Sequence, residues 1–316
     1  MNTRRLGRSE LAVPRLCFGC NVFGWTADET RSFALLDALL EHGLNFLDTA
    51  DVYSRWAPGH QGGESEAIIG RWMKARGNRD RVIVATKVGM DMGEGRVGLK
   101  PAYVARAVED SLRRLQTDYI DLYQSHKDDP DTPQAETLGA YARLIEAGKV
   151  RVIGASNYDA DRLSEALRLS ESQGLPRYES LQPEYNLAVR GVYEGDLERV
   201  CAEYGVGVIT FFSLAAGFLT GKYRSEADFG KSARGARSIG RYMNERGLRI
   251  LAALDAIGAE RNAAPASIAL AWLMAKPTIT APIASATSLD QLETLVAATR
   301  LELSAEEVKR LDEASA

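Results

Sequence analysis

A closed barrel of eight parallel strands, each followed by a helix, is the fold the sequence predicts. Three observations point to it. Short apolar runs alternate with amphipathic stretches along the whole chain. Those runs are nearly continuous in apolar residues, as parallel strands covered on both faces are. Eight such units within 316 residues suit closure into a (β/α)8, or TIM, barrel. An open doubly wound sheet is the rival arrangement. Barrels often run long as one unit, so residues 1–316 are expected to form a single domain.

The elements follow in order. Ahead of the barrel, Gly7-Arg8-Ser9 lies between short apolar runs and suggests a hairpin closing the barrel bottom. Residues 15–19 read as the first strand and 28–42 as a helix, with Phe33, Leu36 and Leu40 on one face. Residues 44–48 form the second strand and 65–76 the next helix. The third strand, 82–87, precedes a helix opened by Pro101, with Val104, Val108, Leu112 and Leu115 on one side. Strand 120–125 leads to helix 133–147, closed by Gly148. Strand 150–155, helix 159–173, strand 180–183 and helix 194–204 continue the rhythm, with Gly205 as a stop. After strand 206–212, a long basic, glycine-containing loop (219–243) delays helices 244–261 and 266–275. Strand 279–284 and helix 288–299 complete the barrel, and Ser304-x-x-Glu307 reads as a capping box for a short final helix.

Composition narrows the function classes. The chain is 45% hydrophobic and 26% charged, with a net charge of −4, which disfavours a nucleic-acid binder with a basic face. Its first residues are too polar for a signal peptide. No apolar stretch is long enough to cross a bilayer. Cys17, Cys20 and Cys201 show no zinc-like pattern, so a reduced, cytoplasmic chain without a metal is expected. The Cys17-x-x-Cys20 spacing sits on a strand and its exit rather than at a helix start, which argues against a redox pair.

The chemistry gathers at strand ends, where barrels place it. One apolar run reaches Asp48, and Tyr53 follows five residues later; a second ends in Lys87; a third ends in His126, one of three histidines. A carboxylate, a phenol, an ammonium and an imidazole make a proton-transfer set. Singly, each has an ordinary alternative: a helix cap, a packing tyrosine, a solvated lysine, a loop histidine. Sharing one face, they read as a site. Tyrosine is a poor acid, with an unperturbed pKa of about 10. An adjacent Lys87 favours phenolate and lowers that value, Asp48 holds Lys87, and His126 orients a carbonyl. Gly93-Glu94-Gly95-Arg96-Val97-Gly98 satisfies G-x-G-x-x-G but begins six residues after Lys87 and stops short of the helix. It reads as a mobile rim loop rather than a dinucleotide fingerprint.

Several longer motifs carry a resemblance over essentially the whole chain: residues 5–9 (RLGRS), 45–53 (NFLDTADVY), 63–66 (GESE), 154–157 (GASN), 181–186 (LQPEYN) and 214–223 (LAAGFLTGKY). The sequence is similar to the aldo-keto reductases, in the bacterial branch related to potassium-channel β-subunits. The resemblance implies an NAD(P)(H)-dependent oxidoreductase that reduces aldehydes or ketones, or oxidises the alcohol, with Asp48, Tyr53, Lys87 and His126 as the catalytic tetrad. It implies that Ser156, Asn157 and Gln182 meet the nicotinamide carboxamide and that Phe211 replaces the usual stacking tyrosine or tryptophan. Ser213, Leu214 and Gly217 would line the pyrophosphate, with Cys20 and Asn21 also at the cofactor. Lys222 and Arg224 match a cationic position of the branch. Arg234, Arg237 and Arg241 would close over the cofactor from the long loop.

The last strand-to-helix turn departs from the family. Thr294 and Leu295 stand where a Glu-Asn pair holds adenine, and no lysine or arginine meets a 2′-phosphate. Ser285, Thr287 and Gln291 remain as hydrogen-bonding groups at a helix N-terminus suited to an anion. NADP(H) is the expected cofactor, with NAD(H) open. Trp25 and Trp56 are expected substrate walls, with Tyr242 a further candidate, for a carbonyl compound or sugar. A cofactor-binding regulatory subunit with slow turnover is the alternative. A metal-dependent hydrolase is a second, which the scarcity of histidines disfavours.

Overall fold

The computed structural model describes residues 3–231 and 238–316. Its centre is a closed barrel of eight parallel strands: β3 (Cys17–Gly19), β4 (Phe46–Asp48), β5 (Ile83–Val88), β6 (Ile120–Ser125), β7 (Val150–Ser156), β8 (Tyr178–Gln182), β9 (Gly207–Thr210) and β10 (Ile279–Ala284). Each pairs with its neighbour in the chain, and β10 closes against β3 through Ile283–Cys17 and Ala284–Phe18. The doubly wound alternative is thereby excluded. β1 (Thr3–Arg5) and β2 (Ala12–Pro14) form an antiparallel hairpin before the barrel. Gly7, at the hairpin turn, has φ +61 and lies where a Cβ would meet the Glu179 carbonyl oxygen at 2.2 Å. The hairpin therefore seats directly on the N-terminal end of β8, and Arg4 Nη2 donates to the Met274 carbonyl at 2.8 Å.

Sequence-local chemistry sets the helix ends. Asp28, Asp159, Asn244, Ser288 and Ser304 each accept a backbone N–H as N-cap. Ser304 and Glu307 complete the expected capping box of the helix Ala305–Ala314. Pro101 occupies the first turn of the helix Pro101–Leu115. Left-handed glycines end the helices Glu64–Arg76, Ala160–Gln173 and Asp196–Tyr204. The glycine-rich stretch 93–98 closes on itself, with Gly98 N–H donating to the Gly89 carbonyl at 3.1 Å. It does not run into a helix, so a Rossmann turn is ruled out.

Several expected boundaries shift by one or two residues, as where strand 180–183 is observed as Tyr178–Gln182, and two of the shifts have a local physical reason. The seventh barrel strand ends at Thr210 rather than Phe212, because Phe212 turns to φ +51 and leaves the sheet. The helix expected from Glu194 starts at Asp196, because Gly195 at φ +104 breaks the chain direction there.

Apolar packing comes in two bodies. The larger lies between strands and surrounding helices. The smaller fills the barrel's N-terminal half and includes Leu6, Val13, Phe46, Ala85, Leu122 and Ile209. Side chains two apart on a strand share a face. Two residues beyond Phe46, Ala85 and Leu122 come Asp48, Lys87 and Gln124. The inward face thus changes from apolar to polar at the C-terminal end of three adjacent strands, and this switch builds the site.

Candidate active site

Lys87 organises the polar layer. It has no solvent exposure, and its Nζ donates to Asp48 Oδ2 at 2.7 Å, the Thr49 carbonyl at 2.8 Å and Tyr53 Oη at 3.1 Å. These three acceptors use the ammonium's three donors. Burial opposes the Lys87 charge, but Asp48 and Tyr53 together hold its pKa above the ordinary value. Asp48 Oδ1 accepts from Gln182 Nε2 at 2.9 Å and Gln124 Nε2 at 3.2 Å. Gln124 fits because its register partner is Gly154. A Cβ at Gly154 would lie 3.2 Å from Gln124 Cγ and 2.2 Å from Ser180 Oγ.

Tyr53 lies on the turn that follows β4. Its carbonyl accepts from Gly63 N–H at 2.8 Å, and its ring stands 5.9 Å from that of His126, nearly edge-on. Burial pushes the Tyr53 phenol up, with Asp48 adding to the rise, and this exceeds the lowering by Lys87. The expected downward tuning is therefore present but outweighed, because the same enclosure that brings Lys87 close also removes water from the phenolate. His126 follows β6 directly. Burial, then Lys87 and Lys127, hold its pKa well below the usual histidine value, so the imidazole is neutral at physiological pH. Its backbone is clamped: His126 N–H donates to the Val88 carbonyl at 2.8 Å, and Asn157 Nδ2 donates to the His126 carbonyl at 2.9 Å.

A cavity of about 880 Å³ opens over this layer. Asp48, Tyr53, His126 and Trp56 line it. Ser156, Asn157, Gln182 and Phe211 continue the wall, with Ser213, Leu214 and Gly217 beyond them. Lys222, Ser285, Thr287, Gln291, Thr294 and Leu295 line it as well. A lining that joins the Asp48–Tyr53–Lys87 layer to hydroxyls, an amide and a cation fits a dinucleotide. Leu214 and Ala215 follow one another with φ −105 and +48, the right-then-left alternation that makes a concave anion-binding turn. At Gly19 a Cβ would lie 2.7 Å from Ser285 Oγ and 3.0 Å from Ile283 Cγ2, so a side chain there would displace the Ser285 hydroxyl.

Individual residues differ in how they meet the cavity. Asn21 lines it and accepts from Ser285 Oγ at 2.7 Å, whereas Cys20 is wholly buried beneath, its thiol pushed up by burial. All three cysteines are free. Arg224 turns away into a paired contact with Asp255, at 2.7 and 2.8 Å. Gln291 Oε1 accepts from Thr287 N–H at 2.9 Å and Thr287 Oγ1 at 3.2 Å, so the last turn is partly satisfied internally. Trp25 packs edge-on against Trp56 at 5.8 Å. Tyr242 is buried and stacks on Phe218 at 5.7 Å, and Arg241 pairs with Glu184 at 2.9 Å. Arg234 and Arg237 lie outside the described residues.

Sequence reasoning missed Gln124, Lys231 and Met90. Gln124 had a signal: a polar side chain inside an otherwise apolar strand. Lys231 lines the cavity while pairing with Asp228 at 2.7 Å, and nothing local marks it out among the loop's other cations. Met90 also lines the cavity, and nothing local distinguishes it. Among the described residues, no group of three histidines, cysteines or acids is arranged to hold a metal. No described helix is long and apolar enough to cross a membrane.

Comparison with known proteins agrees with this geometry. Residues 15–316 match the model of the Aldo/keto reductase family. The chain belongs to the aldo/keto reductase family. It is 34% identical over 98% of its length to Uncharacterized oxidoreductase YrpG of Bacillus subtilis, covering 94% of that protein. It is 31% identical over 99% of its length to Aldo-keto reductase yakc [NADP(+)] of Schizosaccharomyces pombe, covering 91% of it. It is 32% identical over 92% of its length to a probable voltage-gated potassium channel subunit beta of Oryza sativa subsp. japonica, covering 89% of it. The relationship to the β-subunit branch holds as the motifs implied. The family's chemistry is the nicotinamide-dependent interconversion of carbonyl compounds and alcohols.

Proposed function

We propose that this aldo/keto reductase reduces an aldehyde or ketone, with Tyr53 as the general acid and NADP(H) as the preferred cofactor. The observation that carries the reading is the ammonium of Lys87 held between Asp48 at 2.7 Å and Tyr53 at 3.1 Å with no exposure to water. Bound NADPH supplies the hydride that adds to the carbonyl carbon. The chain supplies the proton. Because burial raises its pKa, Tyr53 carries its proton at neutral pH and has it to give to the carbonyl oxygen. The phenolate left behind faces the Lys87 ammonium, which is worth far more in this dry site than in water. Asp48, held by Gln124 and Gln182, keeps Lys87 aimed at the phenol. Neutral His126 offers one N–H to the same carbonyl oxygen and adds no competing charge. Trp56, backed by Trp25, forms the substrate wall, and Ser156, Asn157 and Phe211 face the nicotinamide.

Replacing Tyr53 with Phe should lower kcat by about 10²–10⁴-fold, the usual worth of a positioned acid. Cofactor affinity should stay unchanged in fluorescence titration. Turnover equal to the wild type would refute the role. For the cofactor, Lys222 supports the 2′-phosphate, as does the relative named for NADP(+). Lys222→Ala should weaken NADPH about tenfold or more, the cost of one charge-assisted hydrogen bond, and leave NADH nearly unaffected. Equal losses would reject the assignment.

The rice relative's name favours a second reading, a cofactor-binding regulatory subunit with slow redox turnover. Cofactor retention and a copurifying partner, with negligible turnover across aldehydes, ketones and sugars, would select it.

A further inference from the structure

Two residues before Tyr53 stands an acid that the proton-transfer scheme does not use. Asp51 is only 2% exposed. Neither of its carboxyl oxygens meets a well-aligned hydrogen-bond donor, and the adjacent Val52 N–H gives only weak support. Its neighbour Glu66, on the helix Glu64–Arg76, is also fully buried. Glu66 is satisfied: Oε1 accepts from Thr86 Oγ1 at 2.5 Å and Oε2 from Arg114 Nε at 2.6 Å. Arg114, on the helix Pro101–Leu115, packs so tightly on the turn after Tyr53 that a Cβ at Gly63 would lie 2.4 Å from its Cδ.

The charge count is unfavourable if both acids ionise. Arg114, whose side chain is 24% exposed, is already paired with Glu66 at 2.6 Å, so an ionised Asp51 would leave a net negative charge in a dry place. An unpaired buried carboxylate without donors is among the costliest groups a fold can hold. The other groups whose charge reaches Asp51 are Lys87 on β5, itself committed to Asp48 and Tyr53, Tyr103 beside Arg114, and the buried phenols of Tyr123 on β6 and Tyr141 on the helix Gln134–Glu146. None of them donates to its carboxyl oxygens.

The cluster grips the catalytic turn from both sides. Asp51 N–H donates to the Lys87 carbonyl at 3.2 Å, and Gly63 N–H donates to the Tyr53 carbonyl at 2.8 Å. Thr86, which Glu66 holds, is the residue before Lys87. We propose that Asp51, buried without a partner beside the Glu66–Arg114 ion pair, positions Tyr53 against Lys87 only while Asp51 keeps its proton. Asp51 is a positioning residue here, acting through the backbone of the turn from Asp48 to Tyr53. When it ionises, the turn moves to hydrate the new charge, and the phenol leaves its alignment with Lys87.

The inference rests on the reading of Tyr53 as acid, and the test separates the two. The Asp51→Asn variant keeps the shape and removes the ionisation. With NADPH and 4-nitrobenzaldehyde as probes, wild-type kcat/KM should fall about tenfold per pH unit above the point where burial and Glu66 place Asp51, about 8. In Asp51→Asn that limb should vanish, and activity should hold until Tyr53 itself ionises at higher pH. Infrared difference spectra of the wild type should show a protonated carboxylic acid that titrates in the same range and is absent from the variant. An identical alkaline limb in both proteins would overturn the inference, as would a wild-type spectrum without such an acid, which needs no variant. Turnover that survives Tyr53→Phe would instead strike the reading of Tyr53.

Discussion

Lys87 holds a full charge in the middle of the barrel, and its partners carry the cost of keeping it there. A buried ion pair is weak evidence for net stability, yet breaking one by removing a single partner is expensive, because the remaining charge is stranded. Lys87→Met should therefore destabilise the fold by about 3–5 kcal/mol in urea denaturation. Adding Asp48→Asn should recover part of that loss, since the stranded carboxylate is then gone. Full additivity of the two changes would mean that the pair does not interact. The types and chain positions of Asp48, Tyr53, Lys87 and His126 were readable from the sequence because each is a polar residue at or just beyond an apolar run. The phenol's pKa was not. The sequence reveals the ammonium that lowers it, whereas burial, which wins, depends on the surrounding atoms.

At the scale of elements, the site is a change of inward-facing chemistry two residues along each strand. Phe46, Ala85 and Leu122 give way to Asp48, Lys87 and Gln124, and register sets them side by side: Lys87 opposite Gln124, and Gln124 opposite Gly154. Gly154 is required by space, since a Cβ there would lie 2.2 Å from Ser180 Oγ. Gly154→Ala should cost about 1–3 kcal/mol from overpacking and lower kcat, because Gln124 must move away from Asp48. Wild-type stability with wild-type kcat would show that the strands shift freely to admit a methyl group. Strand and helix order was legible because periodicity and caps are local. The exits at Phe212 and Gly195 were less so. At Phe212 a non-glycine residue takes a left-handed conformation that neighbouring contacts impose and its own preference does not.

At the scale of the whole molecule, pH links the buried acid to stability. Burial first, then Glu66, raise the Asp51 pKa to about 8, above its unfolded value of about 3.9. The folded state therefore holds a proton that the unfolded chain has lost. Stability falls as pH rises from about 4 to about 8, by up to roughly 1.4 kcal/mol per unit, and then levels off. Asp51→Asn should be more stable than the wild type near pH 8, with the advantage shrinking towards pH 4, by denaturant titration at each pH. A constant difference across that range would show that Asp51 ionises normally in the fold. The sequence alone determined the barrel, the order of its elements, the family and the chain positions of the four candidate proton-transfer residues, because these depend on local periodicity, caps and short motifs. Only the tertiary structure decided that Gln124 and Gln182 steady Asp48, that Arg224 is drawn to Asp255, and that Asp51 is buried against Glu66. The first and last turn on which distant side chains share a small, dry volume, which closure of the barrel brings together, and the Arg224–Asp255 contact on which surface elements lie side by side.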